Sequence, residues 1–591
     1  MVRRPLRSSV MNADRKPHNH DLARMFNRIA DALELTGESG FRVLAYRRAA
    51  RALDDLTQDV VEIAAQGNLE SIPGVGTGIA RKIREYLSTG KVAKLEEVTA
   101  GLPPGLFALL DIPGIGPKTV RLMHSELGVK GLDDLRRVVA DGSLAQIPGM
   151  GARKVDNIRR AIMTTETAHE RMLLDAAEEL ASTVIAYLET LSETERAVAA
   201  GSLRRGKETV GDIDILVASR DPVRTIEQLL RHPAVRETLS AGRTKASARF
   251  ETSAGLRQVD VRTVRKGEFG AALQYFTGSK DHNVAVRSLA QKHGLKLSEY
   301  GVFRAGRRLA GRTEEDIYAA VGLPFIPAEL REDRGEIAAA QSGSLPELVS
   351  LDDVRADLQM HTTASDGSSP LEEMIEACRR RGYEYAAVTE HSTSAGYAGG
   401  LRPDALLRNC DRIDRLNAQL PGFRVLRSAE VDIGRDGRLD YPDTILQRLD
   451  FVVASIHQAF NYHATERICA AIAHPLVHMI AHPSGRLIGK RPGYDIDLEK
   501  VIACAAEHGK ILEINAFPGR LDLSDTWARR AKSAGVLLAV NSDAHAVADL
   551  GWMRYGIITA RRAWLEKTDI VNCLPLKAFL KLLDRFRKNR A

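Results

Sequence analysis

The chain has 591 residues, 44% of them hydrophobic and 27% charged, and 84 Lys+Arg against 77 Asp+Glu give a formal net charge of +7. That is the composition of ordinary soluble domains, and at roughly 150 residues per domain the length predicts about four structural units. Collagen-like, wholly disordered and disulfide-stapled classes are excluded, no apolar run reaches the ~18 residues that span a bilayer, and the mild basic excess permits nucleic-acid binding without demonstrating it. The five cysteines, Cys378, Cys410, Cys469, Cys504 and Cys573, are scattered with no C-x-x-C pair. A reducing cytosol is therefore expected, with no disulfide framework and no Cys-rich zinc site.

Residues 1–20 are polar and basic without an apolar signal-peptide core, and are expected to be a disordered tail. From Asp21 to Ile162 apolar residues recur at helical spacing, as in FNRIADALEL and RVLAYRRAARAL. Within this region one pattern occurs three times: SIPGVGTGIARKI (Ser71–Ile83), DIPGIGPKTVRLM (Asp111–Met123) and QIPGMGARKVDNI (Gln146–Ile158). The glycine pairs Gly74 and Gly76, Gly114 and Gly116, Gly149 and Gly151 leave no Cβ between a phosphate and the N–H groups at the helix start. Lys82, Lys118, Arg153 and Lys154 add charge nearby. One such turn would be only a tight connection between packed helices. Three, each entering a basic helix, predict sequence-independent contacts with the DNA backbone. The pattern resembles the helix-hairpin-helix motif, which implies a monovalent cation at the hairpin.

From about Ala197 the period shifts to short β-branched runs, AVAAGSLRRG, DIDILVA and RQVDVRTV, read as strands among helices. In GSLRRGKETVGDIDILV (Gly201–Val217), Asp212 and Asp214 are two apart, which on a strand puts both carboxylates on one face. Like charges that close repel unless a cation lies between them, and Asp260 of QVDVR offers a third hard oxygen ligand for Mg²⁺ or Mn²⁺. Gly201-Ser202 and Arg204-Arg205-Gly206 offer backbone N–H, hydroxyl and guanidinium donors suited to a triphosphate. D-x-D alone would be a solvated turn; with G-S-x-x-R-G and a later strand aspartate it is a nucleotidyltransferase signature.

YFTGSKDHNVAVR (Tyr275–Arg287) and LSEYGVF (Leu297–Phe303) extend this to a specific likeness. Residues 21–329 resemble family X DNA polymerases. The resemblance implies two metal ions on Asp212, Asp214 and Asp260, with Asp260 also assisting deprotonation of the primer 3′-OH. It implies triphosphate contacts from Ser202, Arg205 and Gly211, Tyr275 and Phe276 against the sugar, and Gly278 among the nucleotide-binding residues. It places Asn283 on the base edge and Arg287 on the template strand. Lys82 falls at the family's Schiff-base lysine, which implies 5′-deoxyribose-phosphate lyase chemistry; the alternative reading is a lysine that only contacts a DNA phosphate. Gly78 and Arg42 stand where the family has lysines, which implies weaker 5′-phosphate capture.

Residues 331–355 are polar and rich in small side chains, and read as an interdomain linker. Beyond them, apolar runs (YAAVTE, RVLRSAEVDI, DFVVASIH, MIAHP, KILEIN, VLLAVNSD) alternate with helical segments, predicting a parallel, barrel-like sheet. Nearly all lead into His, Asp or Glu at the strand end, where parallel α/β folds build sites. One such residue would be a hydrogen-bonded strand end; six segments converging at one barrel end predict metal. Their order resembles the polymerase and histidinol phosphatase (PHP) domain, a distorted βα barrel holding up to three metals. The resemblance implies Gln359, His361, Glu430 and Asp543 around one metal, Glu430, His457 and His482 around a second, and Asp366, His391 and His545 around a third. The family has His-x-His where this chain has Gln359-x-His361, and a carboxamide oxygen is the weaker, harder ligand, favouring Mn²⁺ over Zn²⁺. His474, His478 and His508 are expected to be helix or surface histidines.

The expected organisation is a multidomain chain: an all-α helix-hairpin-helix region, an α/β nucleotidyltransferase palm and a distorted (β/α) PHP barrel. The expected boundaries are a tail over 1–20, a lyase-like helical domain over 21–100 and a second hairpin subdomain over 101–165. A palm over 166–265, a nucleotide-selecting subdomain over 266–330, a linker over 331–350 and the barrel over 351–591 follow. The implied function is gap-filling DNA synthesis in repair with metal-dependent 3′–5′ exonuclease activity, and abasic-site processing as a third activity. The expected partners are gapped or primer–template DNA and deoxynucleoside triphosphates, for a monomer that is cytoplasmic, nucleoid-associated and independent of membranes. The rival reading is a PHP small-molecule phosphatase with a DNA-binding appendage; the intact aspartate triad weighs against it, and against a non-catalytic scaffold.

Overall fold

In the computed structural model the described residues are 18–588, apart from 39–40, 55, 57–59, 66, 73, 104, 112–114, 148–154, 156–157, 159–170 and 461. The chain divides into two compact units, Met1–Glu170 and Arg171–Ala591. Among the described residues no helix is long and apolar enough to cross a membrane, and all five cysteines are free thiols.

The first unit is helical. Helix His18–Leu35 carries Leu22, Phe26, Ile29 and Leu33 at three- and four-residue spacing, so one stripe faces a core shared with Tyr46, Leu53, Ile79 and Ile83. A second cluster gathers Leu106, Ile115, Val120, Met123, Leu135 and Val138 from helices Pro117–Leu127 and Leu132–Ala140 and their neighbours. The tail expected over 1–20 lies outside the described residues as far as 17; residues 18–20 are instead the first turn of a helix, because Leu22 and Phe26 extend the apolar stripe toward it.

In the second unit, five strands form a sheet in the order Thr194–Ala199, Ile213–Ser219, Gly255–Val264, Lys245–Thr252, Val235–Ala241. The run AVAAGSLRRG, expected to be a strand, is one only as far as Ala199, and Gly201–Arg204 is a helical turn. Gly201 has φ +58°, and a Cβ there would lie 2.0 Å from Asp214 Oδ2, so only glycine lets the chain turn over that carboxylate. Helices Phe269–Thr277, Lys280–Lys292 and Glu314–Ala320 pack with three short strands on a separate core.

The segment expected to be a linker belongs to that core. It contains helix Glu336–Ser342, with Ala340 buried and Leu345 and Leu348 packed alongside. Arg331 is fully buried, with Nη1 2.6 Å from Glu314 Oε1, and buried Glu336 accepts the N–H groups of Asp333 and Arg334 beside His282 Nδ1 at 2.6 Å. Polar composition suggested solvent; internal pairing allows burial instead.

The barrel consists of seven parallel strands in chain order, Ala356–Asp357, Tyr385–Val388, Arg424–Asp432, Phe451–Ser455, Met479–Ile480, Ile511–Asn515 and Leu538–Asn541. A parallel bridge between Met360 and Ala544 joins the two ends, with the His361 N–H on Ala544 O at 2.8 Å and the Asp543 N–H on Gln359 O at 3.1 Å. Alternation sends Leu358, Tyr385, Leu426, Phe451 and Met479 into one cluster and Ala386, Val425, Val452, Ile480 and Leu512 into another. Phe579, Leu583 and Phe586 of the last helix, Leu576–Lys588, join the first cluster and cover the N-terminal ends of the strands. The opposite ends carry His361, His391, His457, His482 and His545. Leu521 and Tyr555 of the barrel region enter the core of the five-stranded sheet.

Candidate metal centres of the palm and the barrel

Asp214 and Asp260 lie on adjacent parallel strands as register partners, and Asp212 precedes the first of these strands. Their ligand oxygens, with that of Asp212, lie within 4.8 Å of one another. Burial, then Asp212 and Asp260, raises Asp214 to about 7. Three crowded carboxylates, one pushed to hold a proton, make a donor set that fits a divalent cation. Asp260 Oδ1 accepts from Gln258 Nε2 at 3.2 Å, and Lys245 Nζ stands 3.7 Å from Oδ2.

Ser202 lies on the helical turn over Asp214, and Arg205 caps it. The Arg205 side chain is 13% exposed and donates from Nη1 to Thr277 O at 2.5 Å and from Nε to Glu332 at 3.1 Å. A Cβ on Gly278 would lie 3.1 Å from Arg205 Nη1, and one on Gly211 would lie 3.2 Å from Arg171 Nη1. Tyr275 and Phe276 end helix Phe269–Thr277 with ring centroids 5.1 Å apart, and Phe276 lines a small pocket with Asp214, Lys245, Asp260 and Arg262. Asn283 is buried: it donates to Tyr275 O and accepts from Gln274 Nε2, both at 2.7 Å, so its amide braces the Tyr275 turn. Arg287 lies 5.9 Å from the Tyr275 ring centroid.

In the helical unit, Gly76 and Gly116 cap helices Thr77–Thr89 and Pro117–Leu127, with open space where a Cβ would be. Gly74 has φ +85°, and Lys118 is exposed. Gly114, Gly149 and Gly151 lie outside the described residues. Lys82 Nζ donates to Gly78 O at 3.3 Å, and burial, Arg81 and Lys94 lower its pKa.

At the barrel mouth Glu430 is a hub. Its Oε1 lies 3.1 Å from His482 Nε2 and 3.5 Å from His457 Nε2, and its Oε2 lies 3.3 Å from His391 Nδ1 and 3.5 Å from His361 Nε2. Asp543 Oδ1 is 3.3 Å from His361 Nε2. Asp366 Oδ2, at the rim, is 3.4 Å from His545 Nε2 and 3.5 Å from His391 Nε2. Among the described residues of the barrel, two groups bring one ligand atom of each residue within 4.8 Å of the others: His361, Asp366, His391 and His545, and His391, Glu430 and His457. His391 belongs to both, whereas the sequence likeness set it with Asp366 and His545 alone. Against burial, which opposes it, Glu430 and then Asp366 raise His391 to about 9.

Both amide atoms of Gln359, Nδ1 of His361 and Nδ1 of His482 are buried without a hydrogen-bond partner, while His361 Nε2 and His391 Nδ1 face carboxylate oxygens without hydrogen-bond geometry. Each buried orphan costs on the order of 1–3 kcal/mol, so this set of imidazole nitrogens and carboxylate oxygens fits divalent metal. His478 is not at the surface: it is buried, and its Nδ1 accepts the Val452 N–H at 3.0 Å because it sits at the start of an internal strand. His474 Nδ1 accepts the Leu476 N–H at 3.2 Å, and His508 Nδ1 lies 3.0 Å from Cys504 O.

Sequence reasoning missed the residues behind these groups. Asp432 Oδ1 lies 2.6 Å from His457 Nδ1 and fixes that ring. Glu390 accepts from Thr362 and Ser365. Buried Glu513 accepts the His482 N–H at 2.8 Å and Asn541 Nδ2 at 2.8 Å, and Asn515 Nδ2 donates to Asp543 Oδ2 at 3.0 Å. Each stands beside or within a strand-end motif already singled out, so position next to a candidate ligand was the available signal.

A carboxylate triad on a palm sheet, in one unit with a His/Asp/Glu basin at the C-terminal ends of a parallel barrel, defines a nucleotidyltransferase fused to a metal-binding PHP-type barrel. Family comparison divides the chain likewise. Residues 17–92 match the helix-hairpin-helix domain and 107–164 the SAM-like helix-hairpin-helix tandem. Residues 171–252 match the DNA polymerase beta palm, 272–332 its thumb and 357–516 the PHP domain. The chain is 38% identical over 579 residues, 96% of its length and 100% of the relative's, to the DNA polymerase/3′-5′ exonuclease PolX of Bacillus subtilis (strain 168). It is 28% identical over 333 residues to DNA polymerase lambda of Rattus norvegicus, covering 51% of this chain and 54% of that one. A probable phosphatase of Thermoanaerobacter sp. (strain X514) is 30% identical over 230 residues, 36% of this chain and 89% of its own. The chain belongs to the bacterial PolX family, the family X DNA polymerases that carry a C-terminal PHP domain.

Proposed function

We propose that this chain fills short gaps in DNA during repair and trims 3′ ends in its barrel. The observation that carries this is the presence of two separate metal-type clusters, Asp212, Asp214 and Asp260 on the palm and the Glu430-centred basin in the barrel. In the palm the three aspartates hold two Mg²⁺ or Mn²⁺ ions. In the barrel Gln359, His361, Asp366, His391, Glu430, His457, His482, Asp543 and His545 hold up to three ions, Mn²⁺ or Zn²⁺. Bound divalent cations supply charge neutralisation at the attacking and leaving oxygens of phosphoryl transfer.

The chain's own residues do the rest. Asp260, steadied by Gln258, accepts the proton of the primer 3′-OH. Ser202, Arg205, Gly211 and the backbone of the Gly201 turn grip the triphosphate. Tyr275 and Phe276 pack on the sugar, Gly278 belongs to the same nucleotide-binding turn, Asn283 contacts the base edge and Arg287 the template. The hairpins at Gly74, Gly76, Gly114, Gly116, Gly149 and Gly151, with Lys118 and a monovalent cation, hold the DNA backbone. Lys82, its amine made easier to deprotonate by burial and neighbouring cations, attacks an abasic-site aldehyde and forms the C=N bond of a Schiff base as the carbonyl oxygen leaves as water with the two amine protons. The protein works as a cytoplasmic, nucleoid-associated monomer.

The test is purified protein with Mn²⁺ on gapped, 5′-labelled primer DNA, with and without deoxynucleotides. Extension with nucleotides and shortening without them is expected; the absence of both would defeat the proposal. The similarity of the barrel to a probable phosphatase favours a second reading, a small-molecule phosphatase with DNA-binding appendages. Failure of DNA to compete with a chromogenic phosphate ester at the barrel would favour it.

A further inference from the structure

Three cations converge on one carboxylate oxygen where palm and barrel meet. Glu332 Oε1 lies 3.1 Å from Arg205 Nε, 3.0 Å from Arg562 Nη1 and 3.7 Å from Lys207 Nζ. Arg562 ends the barrel helix Met553–Arg562, and its side chain is 3% exposed. It also donates from Nη1 to the Arg205 carbonyl at 2.6 Å and from Nη2 to Asp525 Oδ2 at 2.8 Å, where Arg334 pairs as well.

The rest of this palm loop is seated on the barrel too. Gly206 has φ +64°, and a Cβ there would lie 2.1 Å from Ile558 Cγ2 and 3.6 Å from Arg562 Cδ. Glu208 Oε2 lies 2.7 Å from Arg486 Nη2. Residues 205–208 connect the triphosphate turn to Asp212, so the barrel grips the loop between two parts of the nucleotide site.

Glu332 takes Arg205 Nε and Thr277 O takes Nη1, so a triphosphate at this turn draws on the same guanidinium charge as Glu332. How strongly Glu332 competes depends on what else neutralises it. A buried carboxylate that loses one counter-ion holds its remaining ones more tightly, since an unpaired buried charge is costly. We propose that Arg562 of the barrel is a positioning residue for nucleotide binding in the palm: by neutralising Glu332 and holding the Arg205 carbonyl, it keeps the Arg205 guanidinium available to the triphosphate. This rests on the polymerase reading above.

The experiment is equilibrium binding of dTTP with Mg²⁺ to the unmodified full chain, Arg562→Met, Glu332→Gln and the double variant. Steady-state extension, 3′ hydrolysis and the thermal midpoint are followed in parallel. Arg562→Met is expected to weaken dTTP binding about tenfold and raise KM in step, with kcat changed less than about threefold and 3′ hydrolysis retained. Adding Glu332→Gln removes the competing charge and is expected to bring binding back within about threefold of the unmodified protein. Unchanged binding in folded Arg562→Met, or a loss that the double variant does not recover, overturns the proposal; the latter marks a merely structural contact. Should Arg562→Met not fold, Glu332→Gln alone decides: tighter dTTP binding supports the proposal, and unchanged or weaker binding overturns it. An unmodified protein that binds no dTTP overturns the polymerase reading and this inference together, a result distinct from equal binding by protein and variant.

Discussion

Asp214 and Asp260 face each other as register partners on parallel strands of the palm sheet. Removing either carboxylate should therefore empty the same centre, while the barrel cluster is built on other strands. Asp260→Ala is expected to abolish primer extension and leave 3′ trimming intact. A gel assay of both activities checks this; equal loss of both in a folded variant would count against two independent centres.

The crowding of the triad predicts a pH effect on stability. Asp214 is raised to about 7 from its ordinary 3.8, chiefly by burial. Between those values the folded, metal-free protein binds a proton that the unfolded chain has released. The triad's destabilisation is thus absent below the ordinary value, grows as pH rises through the window, and is complete above the folded value. Asp214→Asn should raise the thermal midpoint in EDTA at alkaline pH and flatten its pH dependence. A midpoint at or below that of the unmodified protein there would contradict the assignment.

Asp432 orients His457 through Nδ1 and accepts the Ser394 hydroxyl on its other oxygen at 2.7 Å. Loss of such an outer partner costs about 10–100-fold in metal affinity or activity. Asp432→Ala should lower 3′ hydrolysis by that order and leave primer extension unchanged, read from initial rates across a Mn²⁺ titration. Normal hydrolysis at limiting Mn²⁺ would show that His457 needs no such support.

Gln359 and His361 are both fully buried at the mouth. Gln359→His should tighten metal binding, because neutral imidazole is the better ligand for transition metals, and should shift preference toward Zn²⁺. His361→Ala should lose most hydrolysis. Bound metal counted by elemental analysis, beside activity, separates the two. An unchanged metal dependence in Gln359→His with a large loss in His361→Ala would place Gln359 outside the ligand set.

Tyr275 and Phe276 sit edge to face, with Phe276 against the triad pocket. An added 2′-OH must find room there, so the protein should incorporate deoxynucleotides in preference to ribonucleotides, and Tyr275→Ala should narrow the difference. Equal incorporation of both sugars by the unmodified protein would remove the steric gate.

Much of the site was legible because its signals are local. D-x-D before a β-branched run, glycine pairs before basic helices, and histidines or acids at the ends of apolar runs all follow from strand and helix periodicity. Asp432 and Glu390 were missed although they lie inside motifs that had been singled out, because an outer partner carries no spacing rule of its own. The segment 331–350 was misread because Arg331 and Glu336 look solvated in composition, and only their pairing with Glu314 and His282 permits burial.

The sequence by itself determined which residue types are present in order, hence the helical unit, the palm, the parallel barrel and the inventory of candidate ligands. The tertiary structure alone decided which of them meet: Asp214 beside Asp260, Glu430 among four histidines, His391 shared between two groups, and Arg562 of the barrel beside Arg205 of the palm. A carboxylate or guanidinium is buried where counter-charges or hydrogen-bond partners arrive from other elements, and packing, not spacing along the chain, brings them there.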